Sequence, residues 1–120
     1  MPANQTITLA ILHGSRATGR ANPNSDWDVA VLGDHALTND DRSRLARSFA
    51  AQLGVPAETV DIADLRSDSP LLRYRAAMQG RLIEGDAQEF RKFQIRAWKE
   101  YLNNRKIFDL QAAFLDKALS

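Results

Sequence analysis

Residues 7–31 read ITLAILHGSRATGRANPNSDWDVAV, and their pattern determines the architecture expected for the whole chain. The segment begins with a short, β-rich apolar run over residues 7–12, which is too brief for a helix and is typical of a buried strand. Residues 14–25 are rich in Gly, Asn and Ser and contain a Pro, so they indicate a loop with room for one helical turn. Strand character resumes over residues 27–32. The segment therefore predicts two strands joined by a polar loop.

Two short motifs in this segment contain residues typical of binding sites. Gly14-Ser15 follows the first strand directly, where a turn would present backbone N–H groups and a hydroxyl to phosphate oxygens. Asp26 and Asp28 stand two positions apart, so in a strand both carboxylates project from one face. Adjacent carboxylates repel each other unless a cation or proton compensates, and oxygen ligands of this kind suit Mg²⁺. Either pair alone is more often a plain turn or a solvated strand end, but together at this spacing they predict a phosphate and metal site.

The rest of the chain alternates between strand and helix patterns. A third strand is predicted over residues 60–65 and a short edge strand over residues 81–84. Helices are predicted after Thr38, after Ser69 and after Asp86, since each of these residues is a favoured N-cap. The alternation favours an α/β (α+β) domain with a small mixed β-sheet, flanking helices and a long C-terminal helix.

Asp61 is the predicted third carboxylate. If the third strand pairs beside the second, alternation can place Asp61 on the face that carries Asp26 and Asp28, and such a cluster is what two-metal nucleotidyl transfer requires. Asp64 is the rival candidate, but alternation sends it to the opposite face. The expected catalytic and metal-binding residues are therefore Asp26, Asp28 and Asp61.

The nucleotide is expected to contact the loop after the first strand. Gly14 and Ser15 would hold its phosphates, and Arg16 would neutralise part of the triphosphate charge, although an exposed loop Arg is often only solvated. His13 is expected to pack beside the site, because only two His residues occur in the chain and no His-based metal site is indicated.

Composition limits the class of protein. The chain has 120 residues, 44% of them apolar and 26% charged, which fits one globular domain. Sixteen Lys and Arg against fifteen Asp and Glu give a net charge of +1, so binding to nucleic acid through a large positive field is not expected. No apolar run is long enough for a membrane span, residues 1–5 lack the features of a signal peptide, and there is no Cys. A cytoplasmic location is expected.

Residues 14–31 resemble the GSRARG…PxSDxDLxV signature of the minimal nucleotidyltransferases of the polymerase-β-like superfamily. The likeness continues through residues 60–65, VDIADL, which are similar to the family's third-carboxylate strand. It extends through residues 80–86, GRLIEGD, and through the aromatic-rich pattern FxxRAWxEYLxxR of the C-terminal helix. The resemblance thus covers most of the chain and implies a polymerase-β-like nucleotidyltransferase fold.

The resemblance also implies an activity and a partner. Members of this size are commonly encoded beside a HEPN-domain ribonuclease toxin and act as its antitoxin, transferring AMP from ATP to a tyrosine of the toxin with Mg²⁺ as cofactor. Two alternatives remain open: a non-catalytic antitoxin that blocks the toxin sterically, and an enzyme that modifies a small molecule. The presence of all three carboxylates disfavours a non-catalytic antitoxin. An enzyme that modifies a small molecule would need an acceptor pocket, for which the short chain leaves little room.

The C-terminal segment is expected to bend or to project. An unbroken helix over residues 86–119 would span about 50 Å at 1.5 Å per residue, which exceeds the size of the domain. Asn103-Asn104 is the interruption signal in this segment. Residues 1–120 are thus expected to form a single nucleotidyltransferase domain, with a catalytic α/β core over residues 1–85 and a helical segment over residues 86–120.

The two halves of this segment differ in apolar pattern. Before the asparagines, one stripe is predicted to face the core, widened by Trp98 and Leu102; its members are Phe90, Phe93, Ala97 and Tyr101. After the asparagines, the apolar residues spread over more than half of the helix circumference, too much for one buried face. A protein partner, the HEPN toxin by the resemblance, is expected to cover them; they are Ile107, Phe108, Leu110, Phe114 and Leu115.

Overall fold

A four-stranded sheet lies at the centre of the computed structural model, which describes residues 7–66 and 69–119. Its strands are β1 (Ile7–His13), β2 (Trp27–Gly33), β3 (Val60–Asp64) and β4 (Arg81–Gly85). The helices of the described residues are α1 (Ser15–Thr18), α2 (Asn39–Leu53), α3 (Pro70–Gln79), α4 (Ala87–Asn103) and α5 (Arg105–Leu119), and a short 3₁₀ turn, Ala57–Thr59, leads into β3.

The sheet is mixed, as predicted. Its strand order is β3-β2-β1-β4, with β2 and β3 parallel and β1 antiparallel to both of its neighbours. The parallel pair is connected through α2, the kind of crossover that parallel strands need. The predicted neighbourhood of the second and third strands is confirmed, and β4 lies at an edge as expected.

Both faces of the sheet are covered. Alternate residues of β1 and β2 face α2, where Val29 and Val31 pack with the buried ring of Phe49. The other residues, among them Leu9 and Ile11, pack with α3 and α4 through side chains such as Phe93. Burial on both faces explains why β1 and β2 read as continuous apolar runs rather than as alternating patterns.

The N-cap residues predicted from sequence start their helices. The Thr38 hydroxyl accepts a hydrogen bond from Asp41 N at 3.0 Å while the Asp41 carboxylate accepts one from Thr38 N at 3.0 Å, which makes a capping box for α2. Ser69 caps α3, with Pro70 at its first position, and Asp86 accepts hydrogen bonds from two backbone N–H groups of α4. Each cap satisfies donors that a helix leaves unpaired at its start.

The predicted interruption of the C-terminal helix at the asparagines is confirmed. α4 ends at Asn103 and α5 begins at Arg105, with Asn104 between them donating its backbone N–H to Glu100 O and Tyr101 O. Tyr101 stacks on Tyr74 of α3 with 4.0 Å between ring centroids.

One expectation about α4 was wrong. Phe93 and Ala97 face the core, but Trp98 and Leu102 do not widen that face, since they are 49% and 45% exposed. Both side chains project away from the side that carries Ala97, because successive residues of a helix are rotated by about 100°. None of the helices within the described residues is both long and apolar enough to cross a bilayer.

Candidate active site

The predicted site residues lie together at one end of the strands of the sheet. β1 runs antiparallel to β2 and β2 runs parallel to β3, so the end of β1 meets the starts of β2 and β3. The Gly14-Ser15 turn follows β1, Asp28 is the second residue of β2, and Asp61 is the second residue of β3. This topology places the phosphate turn beside the carboxylates.

Register brings the residues of the site into one row across the sheet. Asp28 pairs with Asp61 on β3 and with His13 on β1. Directly paired residues of neighbouring strands project to the same face, here the α3 and α4 side, because the alternate residue Val29 packs toward α2. Asp26 stands immediately before β2, two positions from Asp28.

The carboxylates of this row repel one another. Burial raises the pKa of the Asp28 carboxyl, and the nearby carboxylates of Asp61 and Asp26 raise it further. The charged form of Asp28 is therefore destabilised where it stands, and a bound cation would stabilise it.

Gly14 is required by both conformation and space. Its φ is +72°, a left-handed conformation that other residues rarely adopt, and a Cβ at this position would lie 2.5 Å from Asp28 Oδ2. The carboxylate of Asp28 thus packs directly against the backbone of the phosphate turn. The turn continues into α1, whose Ala17 N and Thr18 N donate to Gly14 O at 3.1 and 3.2 Å.

Arg16 points toward the start of β2. Its guanidinium lies over the Trp27 ring, with 4.3 Å from Cζ to the ring centroid, and its Nη2 donates to Ser25 O at 2.9 Å. Residues 25 and 27 flank Asp26 in the sequence. The sequence predicted phosphate contact for Arg16 and gave no signal for this stacking, because the approach of Arg16 to Trp27 depends on the path of the loop.

Asp64 has a different environment from Asp61. The Asp64 side chain is fully buried on the α2 side of the sheet, where it accepts hydrogen bonds from Leu37 N and Arg66 N, each at 2.9 Å. Asp61 is exposed and lies in register with Asp28. Alternation therefore separates the two residues as expected, with Asp61 beside the other site residues.

His13 lies beside the site, as expected from the sequence, and pairs directly with Asp28. Burial lowers the pKa of its imidazole, against an opposing effect of the Asp61 carboxylate, and its Nε2 is buried with no hydrogen-bond partner among residues 7–66 and 69–119. Its place directly before Gly14 was the available signal, since a strand's last residue pairs with the start of the next antiparallel strand.

The arrangement fits a divalent cation that is shared with a substrate. Within the described part of the chain, no three His, Cys, Asp or Glu side chains are placed to hold a metal ion alone. Mg²⁺ does not require such a set, because it is usually bound through one or two carboxylates together with waters and substrate phosphates. Asp28 with Asp61 or Asp26 can supply these carboxylates. The adjacent Gly14-Ser15 turn can supply hydrogen-bond donors for the substrate phosphates.

The fold and this site define a class of protein. Residues 1–89 match the model of the polymerase beta nucleotidyltransferase family, and the chain therefore belongs to that family. It is a nucleotidyltransferase.

Two curated relatives are more specific in name. The protein adenylyltransferase MntA of Aphanizomenon flos-aquae (strain 2012/KM1/D3) is 33% identical over 118 residues, 92% of this chain and 77% of the relative. The protein adenylyltransferase MntA of Shewanella oneidensis is 35% identical over 95 residues, 79% of this chain and 66% of the relative.

Two of the solved structures that are similar to this chain are toxin–antitoxin complexes. One, a toxin–antitoxin crystal structure with AMP-PNP, matches with a TM-score of 0.70 and 30% identity over 96% of this chain and 88% of the matched chain. Another holds a tri-AMPylated HEPN toxin of Shewanella oneidensis with its MNT antitoxin, and matches with a TM-score of 0.63 and 28% identity over 100% of this chain and 87% of the matched chain.

Proposed function

We propose that the chain is a Mg²⁺-dependent protein adenylyltransferase that acts as an antitoxin, transferring AMP from ATP to a tyrosine hydroxyl of a HEPN ribonuclease toxin. The observation that carries this proposal is the register of Asp28 with Asp61 beside Gly14, in a chain of this family. The relatives named as protein adenylyltransferases and the adenylylated toxin of a similar complex support the acceptor class. The cytoplasmic location expected from the sequence stays a prediction.

The site residues have distinct roles in this proposal. Asp26 and Asp28 bind the metal, and Asp61 either completes the metal cluster or accepts the proton of the acceptor hydroxyl. Gly14 and Ser15 bind the triphosphate, and Arg16 follows them in α1. When bound, Mg²⁺ neutralises phosphate charge and orients the α-phosphate.

The reaction is an in-line displacement at the α-phosphate. The acceptor oxygen forms a bond to the α-phosphorus, the bond from that phosphorus to the β-phosphate oxygen breaks, and pyrophosphate leaves with the bonding electrons. The protein's contribution is positioning and charge stabilisation, as in other phosphoryl transfers. The raised pKa of the Asp28 carboxyl fits a site that is completed by positive charge.

The proposed toxin-binding surface lies on α5. Leu110 and Phe114 are each 72% exposed, and together with Leu115 and with Leu71 of α3 they line an open apolar groove of about 450 Å³. Ile107 is 55% exposed on the same helix. The side chain of Phe108, part of the predicted surface, lies outside the described residues. An apolar surface of this kind favours a protein partner.

Label transfer tests the proposed activity. The purified chain, MgCl₂ and the HEPN protein are incubated with ATP labelled in the α-phosphate or in the γ-phosphate. Label from the α-position should enter the HEPN protein, and label from the γ-position should not. The Asp28→Asn variant should transfer none, and Asp40→Asn, which changes an 82% exposed carboxylate on α2, should transfer normally. Full transfer by Asp28→Asn would contradict the site assignment, whereas toxin neutralisation without any transfer would favour the steric alternative.

A further inference from the structure

Arg16 connects the two parts of the active site. It belongs to α1, directly after Gly14-Ser15, and its guanidinium reaches across the loop to the segment that leads into β2. There it stacks on the Trp27 ring at 4.3 Å and donates to Ser25 O at 2.9 Å. Asp26 stands between these two contacts in the sequence.

Contacts with the protein occupy part of the guanidinium. One face covers the indole ring, one Nη is bonded to a backbone carbonyl, and Nε is shut off from solvent without a hydrogen-bond partner among the described residues. A donor that solvent cannot reach is also closed to a nucleotide. Stacking on an aromatic face is a planar interaction that suits Arg and that Lys does not reproduce.

Trp27 is itself fixed in place. Its ring packs at the border of the core cluster between the sheet and α2, and its backbone pairs with Val60 at the start of β3. An Arg held by this ring and by Ser25 O is therefore tied to the rigid sheet. The pairing of His13 with Asp28 holds the start of the phosphate turn, and Arg16 adds a side-chain link beyond it, whereas the loop over residues 19–24 is mostly exposed.

We infer that Arg16 is a positioning residue, which fixes the Gly14-Ser15 turn relative to Asp26 and Asp28 through Trp27 and Ser25 rather than by binding phosphate. This inference rests on the proposed function of the same site. Its consequence is that Arg16 and Trp27 act as one unit. Loss of either should displace the turn from the carboxylates, and a displacement of about 1 Å can lower a catalysed rate by about a hundredfold.

Steady-state kinetics with a double-mutant cycle tests this inference. Arg16→Ala should lower kcat for transfer by about tenfold or more while changing the KM for ATP by less than about threefold. Arg16→Lys should lose as much as Arg16→Ala. Trp27→Leu should match both, Trp27→Phe should retain part of the activity, and Arg16→Ala combined with Trp27→Leu should be no worse than the less active single variant.

The opposite pattern would overturn the inference. If Arg16 binds phosphate directly, Arg16→Lys should stay near wild type while Arg16→Ala raises the KM for ATP, by the same factor in the wild-type chain and in the Trp27→Leu variant. Arg20→Ala, in the same loop, is the matched control and should behave as wild type. Asp28→Asn is assayed in parallel, since its full activity would refute the proposed site, whereas its inactivity beside a fully active Arg16→Ala would refute only this inference.

A second readout does not depend on activity. The chain has two Trp residues, and in a Trp98→Phe background Trp27 is the only one. Replacement of Arg16 by Ala or Lys in that background should shift the emission of Trp27 to longer wavelength and increase its quenching by acrylamide. Unchanged emission in both variants would show that Arg16 does not cover the ring, and the inference would fail even if Trp27→Leu were too unstable to assay.

Discussion

The carboxylates of Asp26, Asp28 and Asp61 lie near one another, and their mutual repulsion destabilises the folded state. The pKa of the Asp28 carboxyl is raised by burial first and by Asp61 and Asp26 next. A group with a raised pKa in the folded state binds its proton more tightly there than in the unfolded chain. Its contribution to stability is therefore fully present below the ordinary Asp value of 3.8 and is lost as the pH rises through the folded value.

The first prediction follows from this sign. Asp28→Asn should raise the free energy of unfolding at neutral pH, because it removes a charge that the folded state disfavours, and the gain should shrink as the pH is lowered toward 3.8. Urea unfolding of both proteins in EDTA at several pH values measures the difference. A less stable Asp28→Asn protein at neutral pH would show that the carboxylates do not repel one another as described.

The second prediction separates Asp61 from Asp64. Asp61→Ala should abolish transfer and leave the melting temperature near that of wild type, because its side chain is exposed at the sheet edge. Asp64→Ala should cost about 2 kcal/mol or more, because it leaves the N–H groups of Leu37 and Arg66 without their buried acceptor.

Transfer assays and thermal unfolding on the same two proteins give the result. An inactive Asp64→Ala protein that is fully folded at the assay temperature, beside an active Asp61→Ala protein, would reverse the assignment of the two residues.

Part of the site could be predicted at the scale of single residues. The Gly-Ser turn and the paired acids are local patterns whose chemistry depends on neighbours in the chain, and alternation alone separates Asp61 from Asp64. The stacking of Arg16 on Trp27 could not be predicted, because it depends on the path of the loop between them. Such contacts between distant residues have no local signature.

At the scale of helices and strands, caps made the boundaries predictable. Thr38, Ser69 and Asp86 each start a helix through a hydrogen bond within three residues, and the asparagines end α4 where expected. The misplaced residues were Trp98 and Leu102, which apolar character alone assigned to the core. Their exposure follows from the rotation of α4 about its own axis relative to the sheet, and composition does not determine that rotation.

The third prediction concerns α5. Replacing Leu110 and Phe114 by Ser should weaken co-purification with the HEPN protein, since large apolar residues near an interface centre can each contribute about 2 kcal/mol or more. The melting temperature of the isolated chain should change little, because both side chains are 72% exposed. Ala113→Ser, an exposed position on the same helix, is the matched control and should leave binding intact.

A marked loss of thermal stability in the double variant would contradict this prediction, because it would place the two side chains in the protein's own core. Normal binding by a stable double variant would instead place the toxin on another surface.

At the scale of the whole molecule, the catalytic site and the proposed partner surface are carried by different parts of the chain. The site lies where β1, β2 and β3 meet, and α4 joins the same core through Phe93 and Ala97. α5 contributes no described side chain to the buried core and leaves its apolar groove open. The expectation that residues 1–120 form one nucleotidyltransferase domain stays a prediction.

The intact mass of the HEPN protein after co-production with this chain tests the proposed function without any purified substrate. Co-production with the wild-type chain should add one or more AMP units to a tyrosine of the HEPN protein and abolish its ribonuclease activity. Co-production with the Asp28→Asn chain should add none and leave the ribonuclease active, although the two proteins still co-purify. An unmodified HEPN protein that the Asp28→Asn chain silences as well as the wild type does would contradict the proposed function, since neutralisation would then be steric.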